Sequence, residues 1–133
     1  MLEISRSVVE GILAGAAASP GRETCGLLLG TVARIDGFLP CDNVAADPGK
    51  AFEIDPRQLV AAYRAARNGG PAIAGCFHSH PLGAPEPSPT DAASAAPDGW
   101  IWLIAAKGGV GVWRAVENGA RHGRFDAVDW RMA

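Results

Sequence analysis

Closely spaced cysteine pairs are absent from this sequence. Its three cysteines, Cys25, Cys41 and Cys76, lie far apart and form no Cys-x-x-Cys motif. An odd number of widely spaced cysteines indicates neither a disulfide framework nor a four-cysteine zinc site. We therefore expect three reduced thiols, with Cys25 and Cys76 serving as packing residues in the interior.

Long apolar runs and a surplus of positive charge are absent as well. No apolar run approaches the roughly 20 residues that a membrane-spanning helix needs, and residues 1–4 do not show the pattern of a signal peptide. Twelve Lys and Arg residues stand against 14 Asp and Glu residues, for a net charge of -2. This balance excludes the strongly basic surface typical of nucleic-acid-binding proteins. We expect a cytoplasmic protein that binds neither membranes nor nucleic acids.

The composition is typical of one globular domain. Hydrophobic residues make up 48% of the chain and charged residues 20%, which are near the averages of folded proteins. A length of 133 residues predicts a single domain over residues 1–133 with one site. The short basic cluster Arg121, His122 and Arg124 is interpreted as a solvated strand or turn, with His122 outside that site. The oligomeric state stays open.

Hydrophobic periodicity and turn residues predict about three helices and a mixed β-sheet. The first helix follows the N-cap Ser5 and ends before Pro20-Gly21, and the second has Asp55 as its N-cap and Gly69 after its end. A third, short helix follows Ser88. The predicted strands cover residues 2–4, 24–35, 37–40, 51–54, 71–77, 100–106, 110–116 and 121–125. The fold class is therefore α/β, in the sense of a mixed α+β layer structure.

The segment HSHPLGAPEPSPTD, residues 78–91, contains a candidate metal site. Residues two apart on a strand point to the same side, so His78 and His80 would present both imidazoles to one point. Asp91, inside the first turn of the short helix, supplies a candidate third ligand. Two imidazole nitrogens and one carboxylate oxygen leave a tetrahedral position open for water, as in catalytic zinc sites.

Each of these residues also has a purely structural interpretation. Ser88 and Asp91 have the spacing of a capping box, in which Asp91 merely supports the start of the helix. Histidines are more often ordinary core or surface residues than metal ligands. Two histidines on one face, a loop stiffened by prolines and a nearby acid together favour the metal site.

The pattern H-x-H-x7-S-x-x-D over residues 78–91 resembles the signature of the JAMM metalloproteases, the zinc-dependent branch of the MPN domains. The resemblance extends upstream, because Glu23 precedes the segment TCGLLLG after an amphipathic helix, where these proteins also have a glutamate. It implies an MPN/JAMM-like fold: a mixed central sheet flanked by about three helices, with cytidine-deaminase-like architecture. The short chain is most similar to the short prokaryotic members.

Carried over to this sequence, the resemblance implies one Zn2+ per chain, bound by His78, His80 and Asp91. Glu23 would be the catalytic acid and base, and Ser88 would help to bind the oxyanion. Zinc is the expected metal, although the same ligands also accept iron, cobalt or manganese. Cys25 is two residues beyond Glu23, and a role as a fourth ligand is possible but not required.

The resemblance also implies a reaction and a substrate class. We expect hydrolysis of a peptide or isopeptide bond after the C-terminal Gly-Gly of a ubiquitin-like or sulfur-carrier protein. RadC-type proteins share the histidine pattern, but Glu23 and the following CGLLLG favour the peptidase branch, and the signature of zinc deaminases is absent. The alternative is a partner-dependent or non-catalytic MPN module that binds ubiquitin-like tails.

Overall fold

A mixed β-sheet forms the centre of the structure, a computed structural model that describes residues 1–133. Its eight strands are β1 (Leu2–Ile4), β2 (Cys25–Gly30), β3 (Arg34–Cys41), β4 (Ile73–Ser79), β5 (Ile101–Ala106), β6 (Gly109–Gly119), β7 (Gly123–Ala127) and β8 (Trp130–Met132). The three helices are α1 (Arg6–Ala17), α2 (Pro56–Arg67) and α3 (Pro89–Ser94). The strand order is β7-β6-β5-β4-β2-β3-β1-β8, so the strand that leads into the two histidines, β4, lies in the middle of the sheet. This arrangement confirms the predicted mixed α+β class with three helices.

The two faces of the sheet bury different residues. On β5, Ile101 and Leu103 belong to the larger core cluster with Val8, Val9 and Ile12 of α1. Trp102, between them, belongs to a second cluster on the opposite face, together with Cys76 and Phe125. This alternation follows from the two-residue period of a strand. Segment 52–54 and helix α3 pack against the second face, which is the face of the candidate site.

The helices begin as the sequence predicts. The side chain of Ser5 accepts a hydrogen bond from the backbone N–H of Val8 at the start of α1, and Asp55 accepts one from Arg57 at the start of α2. Both bonds satisfy backbone donors that a helix leaves free in its first turn. Gly69 follows the end of α2 with a φ of +89°, in the region that glycine adopts at low cost. No helix in the structure is both long and apolar enough to cross a bilayer.

The prediction of one strand over residues 24–35 is wrong. The run is divided between β2 and β3, which pair antiparallel through a turn at residues 31–33. Gly30 has a φ of +142° and lies at an irregularity in this pairing, a conformation that side chains other than glycine rarely adopt. The chain therefore reverses inside the apolar run, which hydrophobicity alone did not reveal.

Two other strand predictions need correction, and one strand was missed. Residues 51–54 form no strand, and only Ile54 makes an isolated bridge, with Asn43. Strand β7 begins at Gly123 instead of residue 121, because a turn occupies the predicted start. Strand β8 was not predicted. It has three residues and pairs in parallel with β1, and so short a segment has no readable period.

Candidate metal centre

The end of β4 brings His78 and His80 together. His78 is completely buried, whereas the side chain of His80 keeps 11% of its surface exposed. Their Nε2 atoms are 3.0 Å apart. The predicted same-side arrangement is thus present in the structure.

The first turn of α3 brings Asp91 to the same point. Asp91 Oδ2 is 3.1 Å from His78 Nε2 and 3.2 Å from His80 Nε2. Ser88 and Asp91 form a complete capping box: Ser88 Oγ accepts from the N–H of Asp91, and Asp91 Oδ2 accepts from the N–H of Ser88, both at 3.0 Å. The capping interpretation of Asp91 is confirmed and is compatible with the ligand interpretation, because the cap fixes the carboxylate that faces the histidines.

Glu23 reaches this cluster from the loop that precedes β2. Ligand atoms of Glu23, His78, His80 and Asp91 all lie within 4.8 Å of one another. Glu23 is 6% exposed, and its Oε1 is buried without a hydrogen-bond partner. A buried polar atom of this kind is costly unless another group satisfies it.

Burial and mutual contact perturb the pKa values of the cluster. Burial raises the pKa of Glu23 to about 7, against the attraction of His80, and burial lowers the pKa of His78. Burial also acts to raise the pKa of Asp91, but hydrogen bonds from the two histidines outweigh it and hold this pKa well below its usual range. For His80, burial is outweighed by the bonds to Asp91 and to the carbonyl of Ala84, which raise its pKa.

Ser79, between the two histidines, has a role that sequence reasoning missed. It points to the opposite side of β4 and is 3% exposed. Its Oγ accepts hydrogen bonds from the backbone N–H of Thr24 at 2.8 Å and from Thr24 Oγ1 at 3.0 Å. Ser79 thereby joins the strand of the histidines to the residue that follows Glu23. A serine in an apolar strand indicates that its buried hydroxyl has a hydrogen-bond partner, but the sequence does not identify that partner.

Aromatic rings enclose the imidazole of His78, and sequence reasoning missed these as well. Phe52 stacks on His78 with a centroid separation of 4.3 Å and an interplanar angle of 20°. Trp102 meets the imidazole edge-on at 5.6 Å. Such an apolar wall excludes water and lowers the local dielectric constant around a metal site.

Side chains of the β6–β7 hairpin hold the proline-rich loop that connects His80 to α3. Trp113 Nε1 donates to the carbonyl of Pro85 at 3.1 Å, and a ring nitrogen of His122 lies 3.1 Å from the carbonyl oxygen of Pro87. Gly111 allows this approach, since a Cβ there would lie 2.0 Å from the carbonyl oxygen of Pro85. His122 is therefore outside the metal cluster, as predicted, but it anchors the loop.

The donor set fits a divalent cation. The carbonyl of Ala84 lies 2.9 Å from His80 Nδ1, so in neutral His80 this nitrogen carries the proton and Nε2 keeps its lone pair. The atoms His80 Nε2, His78 Nε2 and Asp91 Oδ2 lie 3.0 to 3.2 Å from one another. Zinc binds nitrogen and oxygen at roughly 2.0–2.2 Å, so the three atoms lie close enough to share one ion. A carboxylate oxygen of Glu23 lies within 4.8 Å of these three atoms.

Cys25 does not belong to the cluster. Its thiol lies 3.7 Å from the carbonyl oxygen of Cys41, and burial raises its pKa to about 12. Cys25 and Cys76 are both 2% exposed, which confirms them as buried residues, and all three cysteines are free thiols.

Comparisons with known proteins show what this chain is similar to. The family model of prokaryotic homologues of the JAB domain matches residues 5–119. A desampylase of Haloferax volcanii is 36% identical over 105 residues, 77% of this chain and 76% of that protein. A probable TtuB-protein conjugate cleaving protease of Thermus thermophilus is 31% identical, over 68% of this chain and 61% of that protein. The tail tip assembly protein K of Escherichia phage N15 is 34% identical, over 66% of this chain but only 34% of that protein.

Solved structures show the same fold. A protein from Desulfitobacterium hafniense is 25% identical with a TM-score of 0.84, and the match covers 100% of this chain and 93% of that one. A JAB1/MPN domain protein from Archaeoglobus fulgidus is 19% identical with a TM-score of 0.64, over 99% and 97% of the two chains. The prediction of an enzyme is confirmed at the level of its class, a JAMM-type hydrolase. The chain belongs to the prokaryotic homologues of the JAB domain, the short prokaryotic branch of the JAMM/MPN family.

Proposed function

We propose that residues 1–133 act as one JAMM/MPN domain and form a zinc-dependent peptidase or isopeptidase. The bond that it hydrolyses follows the C-terminal Gly-Gly of a ubiquitin-like or sulfur-carrier protein. One observation carries the proposal: the carboxylate of Glu23 converges with His78, His80 and Asp91 within 4.8 Å. Three ligands and a separate buried carboxylate are the components that a hydrolytic metal site needs.

His78, His80 and Asp91 would hold one zinc ion per chain. This set of two imidazoles and one carboxylate leaves a coordination position open, as in catalytic zinc sites. A bound zinc ion polarises the scissile carbonyl and lowers the pKa of a water molecule towards about 7. The aromatic contacts of Phe52 and Trp102 with His78 exclude bulk water from that side.

Glu23 would transfer the proton. In its ionised form the carboxylate takes a proton from the attacking water, and in its protonated form it returns that proton to the leaving nitrogen as the C–N bond breaks. In the metal-free protein burial raises the pKa of Glu23 to about 7, and a cation beside it would favour the ionised form that accepts the proton. The orphaned Oε1 of Glu23 is free for this contact.

Ser88 would bind the oxyanion in addition to capping α3. In the capping box its Oγ acts as the acceptor from Asp91, which leaves the hydroxyl proton available. A hydroxyl donor stabilises the negative oxygen that develops on the carbonyl.

The substrate class is supported by a relative of this chain. One relative is named as a protease that cleaves TtuB-protein conjugates. The three free thiols agree with a reducing, cytoplasmic location.

Cleavage of a defined substrate tests the proposal. A carrier protein ending in Gly-Gly is prepared with a short C-terminal extension and, separately, linked to a lysine side chain. Each is incubated with the zinc-loaded protein and followed by intact-mass spectrometry. The Glu23→Gln variant is the inactive comparison, and Glu10→Gln, an exposed glutamate on α1, is the matched control.

We expect the parent and Glu10→Gln to cleave after the second glycine, whereas Glu23→Gln binds zinc but does not turn over. Preference for one of the two linkages distinguishes a peptidase from an isopeptidase. Zinc bound at one per chain with no cleavage of either substrate would contradict the proposal. It would favour the partner-dependent or binding-module alternative, which fits the burial of Glu23 and Asp91.

A further inference from the structure

Asn43, just after β3, connects the loop of Glu23 to the segment of Phe52. Its Nδ2 donates to the carbonyl of Glu23 at 2.9 Å and to the carbonyl of Ala51 at 3.0 Å. Its Oδ1 accepts from the N–H of Ala45 at 3.0 Å and from the N–H of Glu53 at 3.1 Å. Two donors and two acceptors are thus all used, and the partners leave no ambiguity about which end of the amide is which.

The position of the Glu23 carboxylate depends on these backbone contacts. One carboxylate oxygen is buried without a partner, and the structure contains no side-chain hydrogen bond to the other. What holds the residue is its backbone: its N–H donates to the carbonyl of Pro48 at 2.7 Å, and its carbonyl accepts from Asn43. Both anchors belong to residues 43–48. The hydrogen bonds of Glu23 are thus all made by its backbone, so a shift of residues 43–48 would move its carboxylate even though Ser79 holds the next residue, Thr24.

The same amide also bonds the residues on either side of Phe52. Ala51 and Glu53, the two residues bonded by Asn43, flank Phe52 in the chain. The ring of Phe52 stacks on His78 at a centroid separation of 4.3 Å. The side chain of Asn43 therefore bonds both Glu23, the proposed proton-transfer residue, and the residues that flank Phe52, whose ring covers the proposed ligand His78.

We propose that Asn43 is a positioning residue that sets the carboxylate of Glu23 and the ring of Phe52 relative to the ligand cluster. It touches neither substrate nor metal, and it acts through the backbone of Glu23 and of residues 51–53. The inference rests on the proposed function for its kinetic consequence, but its geometric part does not. A displacement of about 1 Å in a catalytic group is enough to lower the rate by roughly 100-fold.

Two substitutions of Asn43 test the donor and acceptor functions of its amide separately. Asn43→Asp keeps an oxygen that accepts from Ala45 and Glu53 but removes both donors, whereas Asn43→Ala removes everything. Ile101→Val is the control for loss of stability. Ile101 is fully buried at the opposite end of β5 from the site.

We expect Asn43→Asp and Asn43→Ala to lower kcat about 10- to 100-fold with KM changed less than twofold. Ile101→Val should keep the parental kcat. In the Glu23→Gln background, Asn43→Ala should reduce the residual rate less than twofold further, because both changes affect the same carboxylate. A parental kcat in both Asn43 variants, or a full additional loss in the double variant, would overturn the inference.

Amide hydrogen exchange provides a readout that does not need activity. The amides of Ala45 and Glu53 should stay protected in Asn43→Asp and lose protection in Asn43→Ala, and Ile101→Val should leave them unchanged. Unchanged protection in Asn43→Ala would refute the geometric part. If the parent fails to cleave any carrier while these amides respond as expected, the proposed function falls and the positioning role of Asn43 stands.

Discussion

Replacing Ser79 by alanine should weaken the connection between the strand of the histidines and the loop of Glu23. The change removes the Oγ that accepts from the N–H and the hydroxyl of Thr24 at 2.8 and 3.0 Å. The backbone bond from the N–H of Ser79 to the carbonyl of Thr24 remains. The defect is therefore confined to one acceptor.

The loss of stability depends on what happens to the two donors of Thr24 when this acceptor is removed. The backbone N–H of Thr24 loses its partner in a partly buried place, which costs about 1–3 kcal/mol. The hydroxyl of Thr24 can turn towards solvent, because this residue is only half-buried. We expect a loss of about 2 kcal/mol in the free energy of unfolding. At about 2.1 cal/mol/K per residue over 133 residues, this lowers Tm by about 7 °C.

Urea unfolding of the metal-free protein, monitored by circular dichroism, measures this loss. Ser94→Ala is the matched control, since its hydroxyl is exposed and donates only to the carbonyl of Thr90, and we expect a change below about 0.5 kcal/mol. In the background of Thr24→Val, which lacks the hydroxyl, the cost of Ser79→Ala should fall by about 0.5–1 kcal/mol. A cost of Ser79→Ala no larger than that of Ser94→Ala would refute the reasoning.

Three further expectations concern the metal. Free zinc at 100 times its Kd should stabilise the parent by about 2.7 kcal/mol, and chelation or His78→Ala should abolish the effect; equal stabilisation of His78→Ala would place the ion elsewhere. Zinc affinity should fall as the pH falls through the raised pKa of His80. One competing proton lowers the affinity by about tenfold per pH unit. If zinc titrations between pH 5 and about 8 give an affinity that does not depend on pH, His80 is not a ligand. Trp113→Phe removes the N–H that holds Pro85 and should weaken zinc binding about tenfold, as measured by competition with a chromogenic chelator; unchanged affinity would show that the loop keeps its shape without this bond.

The sequence by itself determined the features that depend on neighbours a few residues apart. The N-caps Ser5 and Asp55 were readable because each side chain bonds a donor two or three residues later. The pairing of His78 with His80 followed from the two-residue period of a strand, and the capping box followed from the spacing of Ser88 and Asp91. The sequence did not predict the chain reversal at Gly30 or strand β8, because an apolar run and a three-residue segment have no distinctive hydrophobic period.

Only the tertiary structure decided which distant groups complete the site. Ser79 bonds Thr24 across 55 positions of the chain, and Asn43 bonds Glu23 across 20. A hydroxyl or an amide can bond many donors and acceptors, so its residue type does not specify the partner. Sheet pairing of β2 with β4 sets that choice, because it brings the loop of Glu23 to the end of the strand that carries His78. The candidate ligands could thus be identified from residue type and local spacing, whereas long-range packing places the buried carboxylate of Glu23 next to them.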